Sequence, residues 1–170
     1  TLLWDLDASS GAGFLLGVDP RKKRSADSVF ADGSDPLRLV QPTGYANLDL
    51  LPADESIRTL DRQLDRLGKK KRLAKLVEGM AKHYDRIIFD CPPVLSEVSA
   101  QVMRAATLVI VPLPPSPLSA RALDHVVEEI RRHYKHPPPI LPVYSMIDRR
   151  RSLHLEALAT NPAWPAIPMV

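Results

Sequence analysis

The 170-residue chain has one cysteine, Cys91, so it forms no internal disulfide, in agreement with a reducing compartment. No His or Arg is spaced to activate that thiol, and Cys91 reads as a small buried residue rather than a nucleophile. Zinc-finger spacing, a helix-turn-helix pattern and aromatic RNA-binding runs are all missing, which argues against sequence-specific reading of nucleic acid. No apolar run approaches the roughly 20 residues that span a bilayer. Thr1 to Leu6 also lacks the basic start and cleavage region of a signal peptide, so the cytoplasm is the expected compartment and no membrane the expected partner. There is no internal repeat and no low-complexity linker. A G-x-x-x-x-G-K-[ST] loop, whose backbone N–H groups would cradle phosphates, is also absent.

What is present fits one domain over residues 1–170: 45% apolar and 25% charged residues are ordinary for a globular protein able to bury a core. Strand and helix patterns alternate, predicting an α/β fold with a doubly wound, mostly parallel sheet and helices on both faces. Ile57, Leu60, Leu64 and Leu67 mark a helix started by Asp54 and stopped by Gly68, and Leu73, Leu76, Val77 and Met80 mark a second. A strand over 86–90, a helix near 97–105 and a strand over 107–112 follow. Ser116-Pro117 opens a long helix with Leu123, Val126, Val127, Ile130 and Tyr134 inward, which Pro137-Pro138-Pro139 ends. A strand over 140–145, a helix from Ser152 to Ala159 and a short run near Ile167 complete the pattern.

Two apolar strands run into aspartate: Leu2-Leu3-Trp4-Asp5-Leu6-Asp7 and Arg86-Ile87-Ile88-Phe89-Asp90-Cys91-Pro92-Pro93. Such continuous runs predict strands buried on both faces, and acids at their carboxyl ends lie where open α/β sheets place ligands. Asp5, Asp7 and Asp90 are expected to converge on one divalent cation. A hard ion such as Mg²⁺ takes oxygen ligands and keeps waters and phosphates in its shell, so the pattern points to a metal-phosphate site.

The order of these pieces resembles the ParA/MinD family of deviant Walker-motif ATPases, and most closely the ParA branch that partitions plasmids and chromosomes. The resemblance rests on Asp5-Leu6-Asp7 with Leu15-Leu16-Gly17, on Leu48-Asp49-Leu50-Leu51-Pro52-Ala53, and on Tyr84 through Pro93. It continues through Ser99-Ala100-Gln101, Leu108-Val109-Ile110-Val111-Pro112 and Met146-Ile147-Asp148-Arg149-Arg150. The family usually has Pro-Gln where this chain has Ala8-Ser9, and Thr-x-Asn where it has Ser99-Ala100-Gln101. The family's phosphate-binding loop precedes the strand in which Thr1 falls. The chain is therefore expected to be a single ParA-like ATPase domain of the P-loop NTPase type, truncated at both ends, with its N-terminal strand and P-loop absent.

The resemblance implies ATP and Mg²⁺ as cofactors and slow hydrolysis that serves as a timer in the complete protein, with residues 1–170 alone inactive. Asp90 would hold the metal, through a water; Asp5 would orient the same shell; Asp7 would position or deprotonate the attacking water. Pro92 and Pro93 would shape the second switch, and Ser145, Met146, Asp148 and Arg149 would border the adenine. Gly17 to Ala46, rich in Gly, Asp, Ser and Pro, is too long for an ordinary loop. It reads either as a surface insertion or as the first switch, poorly structured without nucleotide.

Three basic runs stand out: Arg21-Lys22-Lys23-Arg24, Lys69-Lys70-Lys71-Arg72 and Arg149-Arg150-Arg151. Singly each is a solvated face, but their places after strands or at a helix start predict that all three share the sheet edge of the carboxylates. Lys69 to Arg72 would sit where the helix dipole disfavours cations, a cost that a polyanion offsets. With pI near 9.1 and a formal charge of +3, non-specific DNA bound through phosphates is the expected polyanion. By resemblance the other partners are a ParB-like activator and a second copy in an ATP-bound homodimer, in the bacterial cytoplasm and associated with the nucleoid. Two other readings stay open. Asp5-Leu6-Asp7-Ala8-Ser9 approximates the Asp-x-Asp-x-Thr motif of haloacid dehalogenase-like phosphatases, with Asp5 as nucleophile and Asp7 as acid/base. The other is a non-hydrolysing adaptor that kept the fold and the basic surface.

Overall fold

The computed structural model describes residues 1–20, 25–67, 71–92 and 96–169. The chain divides into two compact α/β units, Thr1–Ala105 and Ala106–Val170. The first contains β1 (Leu2–Asp5), α1 (Gly11–Leu16), β2 (Gln41–Pro42), β3 (Asp49–Leu51), α2 (Leu60–Leu67), α3 (Arg72–Met80), β4 (Ile87–Asp90) and α4 (Glu97–Ala105). Its strands lie in the order β2-β3-β1-β4, with β1 parallel to both β3 and β4 and only β2 antiparallel. The register pairs Leu3 with Leu50 and Ile88, and Asp5 with Asp90.

The interior strand β1 carries the core. Leu2, Trp4 and Leu6 are buried against Leu60 and Leu64 of α2, Leu73, Leu76 and Met80 of α3, and Val98 and Val102 of α4, all in one apolar cluster. Trp4 meets the rings of Phe30 and Phe89 at centroid distances of 5.8 and 5.7 Å, within the range where tilted aromatic pairs attract. Strand β4 departs from the expected burial on both faces, since Ile88 is 51% exposed. The reason is its place at the end of the sheet: among the described residues β1 is its only neighbour.

Helix starts follow their polar caps. The Asp54 side chain accepts the Ser56 N–H at 2.8 Å and opens a 3₁₀ turn, Glu55–Thr59, that leads into α2. The first turn of α3 takes its acceptor from far away, the Leu73 N–H donating to Gln101 Oε1 at 3.0 Å. Gly68, the expected stop of α2, lies outside the described residues. The stretch expected to be an insertion or an open switch is folded where it is described. Ala26, Val29, Phe30 and Leu39 are buried in the first core, held on the 3₁₀ turns Ala26–Phe30 and Pro36–Arg38. Its apolar residues are simply too sparse for a helical or strand period to reveal them.

The second unit contains β5 (Val109–Leu113), α5 (Pro117–His133), β6 (Ile140–Ile147), α6 (Ser152–Thr160) and β7 (Ala166–Pro168), with all three strands parallel in the order β5-β6-β7. Ser116 caps α5 by accepting the Ser119 N–H at 3.1 Å, and Pro117 occupies the first turn, where its missing N–H costs nothing. Leu113, Leu123, Tyr144 and Ile147 form this unit's core, with the Trp164 ring tilted against that of Tyr144 at a centroid distance of 5.1 Å. Among the described residues no helix is long and apolar enough to cross a membrane.

Candidate functional site

The turn that leaves β1 is built from its own aspartates. The Asp7 N–H donates to Asp5 Oδ1 at 2.9 Å, and the Ser9 N–H donates to Asp7 Oδ1 at 2.9 Å, so each carboxylate spends one oxygen on folding the backbone. Ser10 closes the turn through its N–H to the Asp7 carbonyl at 2.9 Å and starts α1. Asp5 is 0% exposed, and its second oxygen, Oδ2, is a buried acceptor with no hydrogen-bond partner. Burial raises the Asp5 carboxyl above its ordinary range and the Asp90 charge adds to this, against the pull of the Asp7 N–H at Oδ1. Desolvation and the neighbouring Asp7 charge raise Asp90 likewise.

The structure thus brings Asp5, Asp7 and Asp90, expected from sequence to converge on one hydrated cation, into electrostatic contact. Among the described residues no three His, Cys, Asp or Glu side chains are grouped closely enough to hold a metal ion. Two of the six carboxylate oxygens are committed to the turn. That leaves an arrangement suited to an ion that fills its shell with waters and phosphate oxygens, as Mg²⁺ does. Full burial of Asp5 also counts against its being a phosphatase nucleophile, which must meet a phosphorus atom in line.

Pro92 follows, half-buried, while Pro93 lies outside the described residues. Cys91 is exposed rather than buried as expected, because it follows the last residue of edge strand β4. Local desolvation and the Asp90 charge push its thiol up to about 11, far from a reactive thiolate.

In the second unit, the predicted adenine border falls on the end of β6 and the turn after it. Ser145 is half-buried, and Met146 is 59% exposed in a left-handed conformation with φ 58°. Asp148 is engaged in its own turn: it accepts Arg150 Nε at 2.9 Å, Nη2 at 3.0 Å and the Arg150 N–H at 3.0 Å. These bonds hold its carboxyl down to about 2. Its backbone N–H donates to Nδ1 of His154, a buried residue of α6 that the sequence reading missed. Nothing in the local pattern of α6 marks that histidine as a turn ligand.

The expected DNA-binding residues divide. Arg149 and Arg151 are exposed, whereas Arg150 is paired with Asp148. Lys69 and Lys70, like Arg21 to Arg24, lie outside the described residues, and Lys71 is exposed at the start of α3. Arg72 is engaged within its own unit. Its Nε donates to the Phe30 carbonyl at 3.1 Å and its Nη2 to the Ala31 carbonyl, with Asp32 at 3.9 Å from Nη1. With 14% of the side chain exposed, this guanidinium fastens the connection before β2 onto α3.

Two mostly parallel sheets packed with helices, the first with aspartates at the ends of β1 and β4, define an α/β protein. The AAA domain family model matches residues 1–142. The chain is 24% identical over 163 residues to the sporulation initiation inhibitor protein Soj of Bacillus subtilis, covering 92% of this chain and 64% of Soj. It is 28% identical over 160 residues to the chromosome partitioning protein ParA of Caulobacter vibrioides, covering 89% and 60%. The solved cobyrinic acid a,c-diamide synthase of Mycobacterium smegmatis, with bound ATP analog and magnesium, superposes with a TM-score of 0.86 at 25% identity over 99% of this chain and 74% of that one. A plasmid partition protein from Borrelia burgdorferi shares the fold, with a TM-score of 0.82 at 18% identity, over 99% and 76%. The chain belongs to the AAA domain family and, within it, to the ParA/MinD P-loop ATPases. It spans less than two-thirds of the length of these curated relatives.

Proposed function

We propose that residues 1–170 are part of one ParA-like ATPase domain whose complete protein hydrolyses ATP slowly with Mg²⁺ and uses the nucleotide state to control partition. The observation that carries this reading is the buried Asp5 carboxylate with an unpartnered oxygen, in register with Asp90 and hydrogen-bonded to the Asp7 turn. A buried acceptor without a donor is costly, and carboxylate oxygens suit a hydrated hard cation, so these residues fit Mg²⁺. When bound, Mg²⁺ supplies charge neutralisation to the phosphates. Asp90 would hold it through a water and Asp5 would orient the same hydrated shell, while Asp7, half-buried on the turn, would orient the attacking water or accept its proton. The phosphates themselves require donors outside this motif, since the chain carries no Walker loop.

Three further elements of the proposal rest on relatedness and charge. The ATP-bound form is a homodimer, a ParB-like protein activates it, and Lys71, Arg149 and Arg151 contribute to non-specific DNA contact in the bacterial cytoplasm, at the nucleoid. The test is Asp7→Ala in the complete gene product, with ATP affinity and turnover measured together. Affinity should hold while turnover falls by roughly 10²- to 10⁴-fold, the usual contribution of a positioned base. Turnover equal to the parent would remove Asp7 from the mechanism.

A further inference from the structure

We infer that Ser10 is a positioning residue for Asp7, tying the catalytic turn to the end of β3; the inference rests on the reading of Asp7 as the group that acts on water. Ser10 adopts φ 55° and ψ 36°, the left-handed region that a residue with a Cβ enters at a cost and glycine enters freely. What holds it there is a set of three bonds. Its hydroxyl donates to the Ala53 carbonyl at 2.8 Å, 43 residues away in sequence. Its N–H donates to the Asp7 carbonyl at 2.9 Å, and its own carbonyl accepts the Phe14 N–H at 3.0 Å.

The other bonds of the turn, Asp7 to Asp5 Oδ1 and Ser9 to Asp7 Oδ1, are local and link residues two apart. The Ser10 hydroxyl instead reaches a fully buried residue just past β3, a strand paired with β1. It therefore fixes the turn relative to the sheet. Asp5 and Asp90 stand on strands whereas Asp7 lies on the turn itself, so the tie acts most directly on Asp7. Strained backbone that surrounding bonds over-determine is the form in which folds hold reactive groups in place.

The test uses the complete gene product and two substitutions. Ser10→Gly removes the hydroxyl and relieves the backbone; Ser10→Ala removes the hydroxyl and keeps the unfavourable φ. Both should lower kcat by about three- to tenfold, the worth of one hydrogen bond expressed as a rate, while KM for ATP and the affinity for Mg²⁺ stay at parental values. Without nucleotide, amide hydrogen exchange at position 10 and at Phe14 should quicken by a similar factor, and Ser10→Ala should melt below Ser10→Gly. Parental kcat and exchange in Ser10→Gly would overturn the inference, as would a raised KM with unchanged kcat. Asp7→Asn is measured alongside: parental turnover there defeats the reading of Asp7 itself, while the exchange data still decide whether the tie holds the turn.

Discussion

Replacing Arg72 by methionine keeps most of the aliphatic stem and removes only the guanidinium, which isolates what that group contributes. The structure gives it a bond to the Phe30 carbonyl at 3.1 Å, one to the Ala31 carbonyl, a longer one to Ser34 Oγ at 3.4 Å, and an ion pair with Asp32 at 3.9 Å. Asp32 is 74% exposed, so its share is small. Ala31 is exposed and its carbonyl rehydrates, which leaves the part-buried charged bond to Phe30 as the main loss. A hydrogen bond to a charged group contributes about 1.5 to 3 kcal/mol, and we expect a loss of about 2 to 3 kcal/mol for the cluster. For a chain of this size that lowers the melting temperature by about 5 to 10 °C. Arg72→Lys should recover less than half, because one ammonium cannot span both carbonyls. Thermal unfolding followed by near-ultraviolet circular dichroism suits the test, since Phe30 packs 5.8 Å from Trp4 and their rings report on this contact. DNA affinity is titrated against salt in the same variant. A melting temperature within about 1 °C of the parent, together with a salt slope shallower by about 0.9, would refute the clamp and restore Arg72 to the phosphate-binding surface.

Three other expectations follow from the same geometry. Substituting Arg149 and Arg151 by Ala in the complete protein should weaken binding to unrelated DNA sequences about equally and flatten the salt slope by roughly 0.9 per contact, whereas Arg150→Ala alone should change it least, because Arg150 is paired with Asp148. Gly13→Ala places a Cβ 2.9 Å from the Val18 carbonyl, so it should destabilise the fold by about 1 to 3 kcal/mol in urea unfolding; an unchanged midpoint would show that α1 relaxes freely. The Asp148 carboxyl, held down to about 2 by Arg150, gives a signed pH dependence. Its contribution is present above the unfolded value near 3.8 and is lost only as pH falls through about 2, so its carbon-13 shift should stay flat from pH 7 to 4, and a midpoint near 4 would contradict the pairing.

Much of this was legible in the residues. The apolar spacing of Leu73, Leu76 and Met80 places α3 correctly, and Ser116-Pro117 marks the start of α5, because capping and helical period are local properties. Strands ending in Asp5 and Asp90 marked where those two acids would lie side by side for a similar reason: a parallel strand brings its last residue to the carboxyl end of the sheet whatever else surrounds it. α1 escaped notice because Phe14 and Leu15 point outward and give no inward stripe, and because its ends are set by left-handed Ser10 and Gly17.

By itself the sequence determined the alternation of strands and helices, the order of the motifs and the identity of the three aspartates, since each depends on neighbours a few residues away. Tertiary structure alone decided which polar groups are free to act. Ser10 reaches Ala53, Arg72 reaches Phe30 and Gln101 reaches Leu73 across 43, 42 and 28 positions. A hydrogen bond or a buried charge is settled by whichever partner folding brings within about 3 Å, and no spacing along the chain encodes that partner.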